Sequence, residues 1–321
     1  MLAKIMESNS RNNLLLIAML VVTMVVFSSG ISLARETEAI TDDLGNEVEL
    51  EEDPARIVSL APSITEMLYE LGLGDRVVGV TSFCDYPSQM LEEVEAGEVE
   101  TIGSIVDPNI EKIVEVDPDL VVAANINPRE DVERLQELGL KVAGFAPIDL
   151  DSTFSVMERT GKLTGFQQEA NEVIDSMQSR LEQIEALVAE QEERPAVFYE
   201  IWNDPLQTAG SGTFIDDIIR TAGGHNMGAE AGEGWPQFSL ETLIMEDPEV
   251  YVSTPHSAEA DVSVESIKER DHFDALTAVQ EGRVHLVDQD KLSRPGPRVI
   301  DGLIEITEAI YPQLADELSD I

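Results

Sequence analysis

An α/β chain of two similar lobes, each built on a mainly parallel sheet and joined by one long interlobe helix, is predicted by three observations. Short apolar strands alternate with helical segments in both halves of the chain. A helix–turn–strand unit recurs 130 residues apart. An uninterrupted amphipathic stretch lies between the halves. The length of 321 residues suits two lobes of ordinary size.

The elements follow in order. Lys4 and Arg11 precede the apolar run Leu14–Phe27, and Ser32-Leu33-Ala34 fits a small-x-small cleavage site, so residues 1–34 read as a signal peptide or N-terminal anchor. No cysteine follows that run, so no bacterial-type lipid anchor is encoded. Residues 35–53 form an acidic segment with a short hairpin expected around Asp43-Leu44-Gly45-Asn46. The first α/β lobe is expected over 54–150, with strands at Arg56–Leu60, Arg76–Val80, Leu120–Ala123 and Lys141–Phe145. Ile64–Leu71 has helical spacing and stops at Gly72. Connecting helices are expected over 151–194. Within them Val173, Met177, Leu181, Ile184 and Val188 recur every three or four residues, predicting a helix over 167–193 of roughly 27 residues, about 40 Å long. The second lobe is expected over 195–321, with strands at Ala196–Tyr199 and Val284–Val287 and a helix over Phe214–Ile219.

The repeat is specific in detail. Asn109-Ile110-Glu111-Lys112-Ile113 precedes Asp117-Pro118-Asp119-Leu120, and Ser239-Leu240-Glu241-Thr242-Leu243 precedes Asp247-Pro248-Glu249-Val250. Each glutamate stands seven residues before its proline.

Composition excludes several functions. Asp and Glu number 64 against 20 Lys and Arg, a formal net charge of -44, which repels nucleic-acid phosphates. The same excess suits a salt-loving source, because about 1 M salt shortens the Debye length to about 3 Å. The single cysteine, Cys84, rules out an internal disulfide framework, a CxxC redox motif and a Cys-rich cluster such as a bilobal nitrogenase-type protein needs. In Phe83-Cys84-Asp85-Tyr86 it reads as a buried, inert thiol. His225, His256, His272 and His285 all fall in the second half, so an interlobe metal site lacks nitrogen ligands from the first. No resident cofactor is expected. Ser211 lacks a G-x-S-x-G context, which leaves an exported hydrolase as a remote alternative. Gly210-Ser211-Gly212-Thr213 reads better as a helix-entry turn than as an anion site.

Ligands of open α/β sheets sit at the carboxyl ends of strands. Loops there carry aromatic and cationic residues: Phe83 and Tyr86 after the second strand, Trp202 after Ala196–Tyr199, Trp235 in a glycine-rich loop, and Arg294 and Arg298 after Val284–Val287. These six are the candidate ligand contacts.

Three segments carry a resemblance. Ile57-Val58-Ser59-Leu60-Ala61-Pro62-Ser63-Ile64-Thr65-Glu66, Val78-Gly79-Val80-Thr81-Ser82-Phe83-Cys84-Asp85-Tyr86-Pro87 and Trp235-Pro236-Gln237-Phe238-Ser239-Leu240-Glu241 resemble the helical-backbone substrate-binding proteins of ABC importers, in the cobalamin and iron-complex group. The resemblance implies a non-enzymatic protein outside the cytoplasm. It implies a ligand held between the lobes and passed to a membrane permease, which a cytoplasmic ATPase drives. It also implies that Glu111 and Glu241 engage permease arginines, although acids in a first helical turn also stabilise the helix dipole. Ile102 or Gly103 and Ala124 or Asn125 stand near positions where cobalamin-binding members carry tryptophan. The expected ligand is a corrinoid, with a ferric siderophore or haem as the alternative, whose carboxylates would pair with Arg294 or Arg298.

Overall fold

The computed structural model describes residues 37–255 and 262–321. The leader and His256 lie outside the described residues. Strands β1 (Ile40–Thr41) and β2 (Glu47–Val48) form the expected antiparallel hairpin. Buried Asp42 closes its turn: Oδ1 accepts the N–H groups of Leu44 and Asn46, at 3.0 and 2.7 Å. Its Oδ2 accepts the N–H of Gly144 at 3.0 Å and so ties the hairpin to the first lobe.

The first sheet contains β3 (Ile57–Ser59), β4 (Val77–Val80), β5 (Glu100–Thr101), β6 (Leu120–Ala124) and β7 (Val142–Phe145), all parallel, in the order β5-β4-β3-β6-β7. Helices α1 (Pro62–Glu70), α2 (Ser88–Ala96), α3 (Ile110–Glu115) and α4 (Arg129–Glu137) connect them. Pro62 opens α1, where its missing N–H costs nothing. Gly72 follows that helix at φ +77, which side chains rarely adopt.

Helix α5 (Leu150–Thr164) begins with a reciprocal cap between Asp149 and Ser152. After a turn through Gly165 comes α6, Gln167–Ala189. At 23 residues it is about 35 Å long and stops one turn earlier than its spacing predicts. Two effects end it. Glu190, Glu192 and Glu193 would crowd the negative end of the helix dipole, and Pro195 disfavours helical geometry at Arg194. Gly161 lets α5 and α6 approach, since a Cβ there would lie 2.6 Å from that of Ala170. Toward the second lobe, Arg180 of α6 donates to Asp301 at 2.6 Å and to the Ile321 carbonyl at 3.1 Å.

The second sheet has parallel strands β8 (Ala196–Asn203), β10 (His225–Asn226), β11 (Val250–Ser253) and β12 (Val284–Leu286) in the order β10-β8-β11-β12. β9 (Leu206–Thr208) runs antiparallel to β8. Helices α7 (Phe214–Thr221), α8 (Leu240–Glu246), α9 (Val264–Lys268), α10 (Thr277–Gln280), α11 (Gln289–Ser293), α12 (Val299–Ile310) and α13 (Ala315–Leu318) complete the lobe. Thr213 caps α7 by accepting the N–H of Asp216, as a helix-entry turn should.

The repeat extends to the backbone. α3 and α8 are each followed, within two residues, by an aspartate of positive φ, Asp117 at +46 and Asp247 at +49. Each then leads through Pro to the strand beside the first strand of its lobe, β6 against β3 and β11 against β8. The acid after each proline secures that join: Asp119 accepts the N–H groups of Ala55 and Arg56, and Glu249 accepts that of Ala196. One apolar core runs from Ile57 and Leu120 through Phe154, Ile174 and Ile184 to Val197, Val250 and Leu303. Smaller clusters cover the outer sheet faces, Val58 and Val121 with Ile113 in one lobe, Phe198 and Tyr251 with Leu243 in the other.

Candidate functional site

The carboxyl edges of the two sheets meet. Arg294 and Arg298 follow β12, at the carboxyl edge of the second sheet. They reach Glu66, in the helix after β3, and Asp85, in the loop after β4. At a second point the N–H of Leu150, just past β7, donates to Asp217 of α7 at 3.1 Å.

Five exposed apolar or aromatic side chains stand in loops that follow strands of the first sheet: Phe83, Tyr86, Val106, Ile126 and Ile148. Their neighbours explain why they point outward. The Sγ of buried Cys84 lies within hydrogen-bond distance of the Thr65 and Thr81 hydroxyls, at 3.1 and 3.2 Å, and the N–H of Ser82 donates to the Gly103 carbonyl at 2.8 Å. With both flanks tied down, Phe83 is left 56 % exposed. Buried Asn127 binds three loops together. Its Oδ1 accepts the N–H of Ala124 at 2.8 Å, and its Nδ2 donates to the carbonyls of Leu60 and Ile105 at 2.8 and 2.9 Å. Val106 and Ile126 are the exposed residues beside those ties.

In the second lobe the loop carrying Trp235 lies along residues 206–211. Backbone N–H groups of Thr208, Gly210 and Ser211 donate to the carbonyls of Pro236, Gly234 and Gly232, at 3.1, 2.8 and 2.9 Å. Gly210 is required, because a Cβ would lie 2.2 Å from the Gly232 oxygen. Trp235 is 49 % exposed on this braced loop. Trp202 is not a loop residue as expected. β8 continues past Tyr199 to pair with β9, placing Trp202 opposite Gln207, and its Nε1 donates to the Asp204 carbonyl at 2.9 Å. The strand persists because β9 supplies partners for backbone groups beyond the parallel ladder.

Arg294 and Arg298 are already committed. Oε1 of buried Glu66 accepts Arg294 Nη1 at 2.9 Å and Arg298 Nη2 at 2.6 Å, and its Oε2 accepts Arg298 Nε at 2.7 Å. Asp85 accepts Arg294 at 2.5 and 3.2 Å, and Asp290 pairs with it at 2.8 Å. The Arg298 guanidinium also lies 4.2 Å from the centre of the Tyr86 ring. Hydrogen bonds from Arg294 hold the Asp85 carboxyl below its ordinary value, whereas burial pushes Asp290 up. Burial opposes the Arg294 charge, but its hydrogen bonds to Asp85 and Glu66 outweigh that and raise its pKa. Sequence reasoning missed Glu66 and Asp85 as partners, since pairs more than 200 residues apart leave no local pattern; Asp290, four residues before Arg294, did leave one in its helical i,i+4 spacing.

Glu111 and Glu241 are exposed second residues of α3 and α8. Asn109 and Ser239 cap the helices by accepting the N–H groups of Lys112 and Thr242, at 3.0 and 2.9 Å. Helices that run back to a parallel strand begin at the carboxyl edge, so both glutamates lie on that side of the molecule.

The other candidates are accounted for locally. Burial pushes the Cys84 thiol up. His285 lies on β12, where burial pushes its pKa down. His225 is an exposed residue of β10, 3.2 Å from Glu230. His272 opens a single 3₁₀ turn. Ser211 donates to the Gly232 carbonyl at 3.3 Å. No group of three or more His, Cys, Asp or Glu among the described residues is placed to hold a metal ion.

The family model described as periplasmic binding protein matches residues 57–291. An uncharacterised ABC transporter substrate-binding lipoprotein of Bacillus subtilis, YvrC, is 32 % identical over 286 residues, covering 86 % of each chain. A cobalamin-binding protein of Halobacterium salinarum is 31 % identical over 270 residues, 82 % of this chain and 71 % of its own. The solved structure of the periplasmic vitamin B12 binding protein BtuF of Vibrio cholerae matches with a TM-score of 0.70 at 27 % identity, over 83 % of this chain and 99 % of that one. The haem-binding protein RhuT of Roseiflexus matches with a TM-score of 0.72 at 26 % identity, over 80 % and 98 %.

Proposed function

This chain belongs to the periplasmic binding protein family, as an extracytoplasmic ABC-importer substrate-binding protein, and from that premise we propose that it captures a corrinoid between its lobes. One observation carries the choice of ligand. Exposed aromatic and apolar side chains stand along the carboxyl edges, while the two guanidiniums at the junction are already neutralised by carboxylates. That combination suits a large, near-neutral ligand with broad apolar faces. A ferric siderophore or haem would bring carboxylates or other anionic groups that need a free cation.

On this reading Phe83 and Tyr86 contact the ligand from the first lobe, and Trp202 and Trp235 from the second. Arg294 and Arg298 hold the floor of the cleft. Glu111 and Glu241 dock the permease, one from each lobe. The first 34 residues direct export and are then removed or kept as an anchor. Lobes over 54–150 and 195–321, linked by 151–194, are the units that the ligand bridges.

The test is retention. Desalted protein is mixed with cyanocobalamin, ferric siderophores and haem, stripped of free ligand, and read by visible absorption and mass spectrometry. Stoichiometric retention of cobalamin is expected. Retention of haem or a siderophore in its place overturns the corrinoid assignment, and retention of none overturns the cleft as the ligand site.

A further inference from the structure

We infer that Glu66, Asp85 and Asp290 set the charge selectivity of the cleft, so that it rejects ligands whose carboxylates approach Arg294 and Arg298. The inference rests on the cleft reading above and goes beyond it by assigning a selecting role to three acids.

The geometry is specific. Three carboxylates surround two guanidiniums, leaving the junction with one surplus negative charge. Asp288 adds a fourth nearby, since its charge raises the pKa of Arg298. Glu66 is buried, with both oxygens taken by arginine N–H groups. It therefore cannot swing aside for an incoming anion. Asp85 and Asp290 are the accessible members, about half and one-third exposed, and both occupy Arg294. Arg294 itself is only 14 % exposed, so its donors face protein carboxylates and little solvent. A ligand carboxylate could reach it only by displacing Asp85 or Asp290, and would then sit beside the displaced acid. Like charges brought together at a partly buried site repel strongly. A neutral ligand meets no such barrier and can rest on Tyr86, whose ring is covered on one side by Arg298.

The test uses two matched probe pairs that differ in charge and hardly in shape. One is cyanocobalamin against its monocarboxylate, with one propionamide hydrolysed. The other is haemin dimethyl ester against haemin. Affinities are measured at low salt for the unmodified protein, for D85N/D290N, and for Glu66→Gln as a second variant, with melting curves to show that each is folded. The readout is the ratio of neutral to anionic affinity, which a general loss of binding does not move. The unmodified protein is expected to favour the neutral member by at least about tenfold, and D85N/D290N, where Glu66 and Asp288 only balance the two guanidiniums, should close that ratio. Equal affinities in the unmodified protein, or a ratio unchanged in both folded variants, overturns the inference. If only the haem pair binds, with the ester preferred, the corrinoid assignment falls and the charge selectivity stands. Failure of all four probes to bind any variant overturns both.

Discussion

Trp235→Ala is the sharpest test of the cleft. The side chain is 49 % exposed on a loop braced against residues 206–211. A tryptophan carries about 250 Å² of surface, so roughly 120 Å² is free for a ligand to cover. At about 25 cal/mol per Å², covering it contributes up to about 3 kcal/mol. Side-chain ordering and incomplete coverage reduce this, so about 1–3 kcal/mol is expected, a rise in Kd of roughly 5- to 150-fold. The brace is built from backbone hydrogen bonds, so the variant should keep its loop and its melting temperature. Titration calorimetry with cyanocobalamin reads Kd, and circular dichroism monitors the fold. An unchanged Kd in a folded variant would refute the reasoning, because half a tryptophan cannot be covered without effect.

Three further outcomes are expected. Glu66→Ala leaves the Arg298 fork without its carboxylate and Arg294 with one partner fewer; losing one side of a buried pair costs about 3–5 kcal/mol. Urea unfolding should register the loss, and a change below about 1 kcal/mol would mean that the pairs barely exceed their desolvation cost. E111A/E241A should keep ligand affinity and lose uptake in transporter-containing liposomes, with single variants near normal because exposed ion pairs are worth about 1 kcal/mol or less. Normal uptake by the folded double variant would leave both glutamates with the helix dipole alone. The melting temperature should rise between dilute buffer and multimolar KCl, since screening relieves a net charge of -44. A flat or falling midpoint removes the salt-loving reading.

Legibility followed the range of the interactions. β3, β4, β6 and β7 are apolar runs between polar segments and could be read from sequence. β5 is the two residues Glu100–Thr101, one exposed and one half-buried; it exists because β4 offers a partner, and no periodicity marks it. The extension of β8 through Trp202 likewise depends on β9. Phe83, Tyr86 and Trp235 were visible as aromatics among loop residues. Val106, Ile126 and Ile148 were not, because a single aliphatic residue in a loop is commonplace. Their common edge emerges only once the strands are laid side by side. A partial signal did exist: Ile126 stands between two asparagines and Ile148 between Pro147 and Asp149, where an apolar residue has no strand or helix face to serve. Chain position alone makes Arg294 and Arg298 candidate ligand contacts, but their charge balance as a group depends on Glu66 and Asp85 in the other lobe.

The proposed docking by two glutamates acting as a pair draws on both the repeat and the scaffold. Glu111 and Glu241 occupy equivalent places in units that share an N-cap, a left-handed aspartate and a carboxylate clasp onto the neighbouring strand. Equivalent units alone would not fix the distance between them. That distance is held by an apolar core continuous through both sheets, by a 23-residue helix whose bending would break its own hydrogen bonds, and by arginine–carboxylate pairs across the junction. Wide hinge opening would strip apolar area from water-free contact and separate buried charges at the same time. A partner that reads both glutamates at once therefore meets a spacing set by the fold. On the proposed reading the ligand meets apolar edges that are already exposed, so its affinity is expected to arise from covering them and not from driving the lobes together.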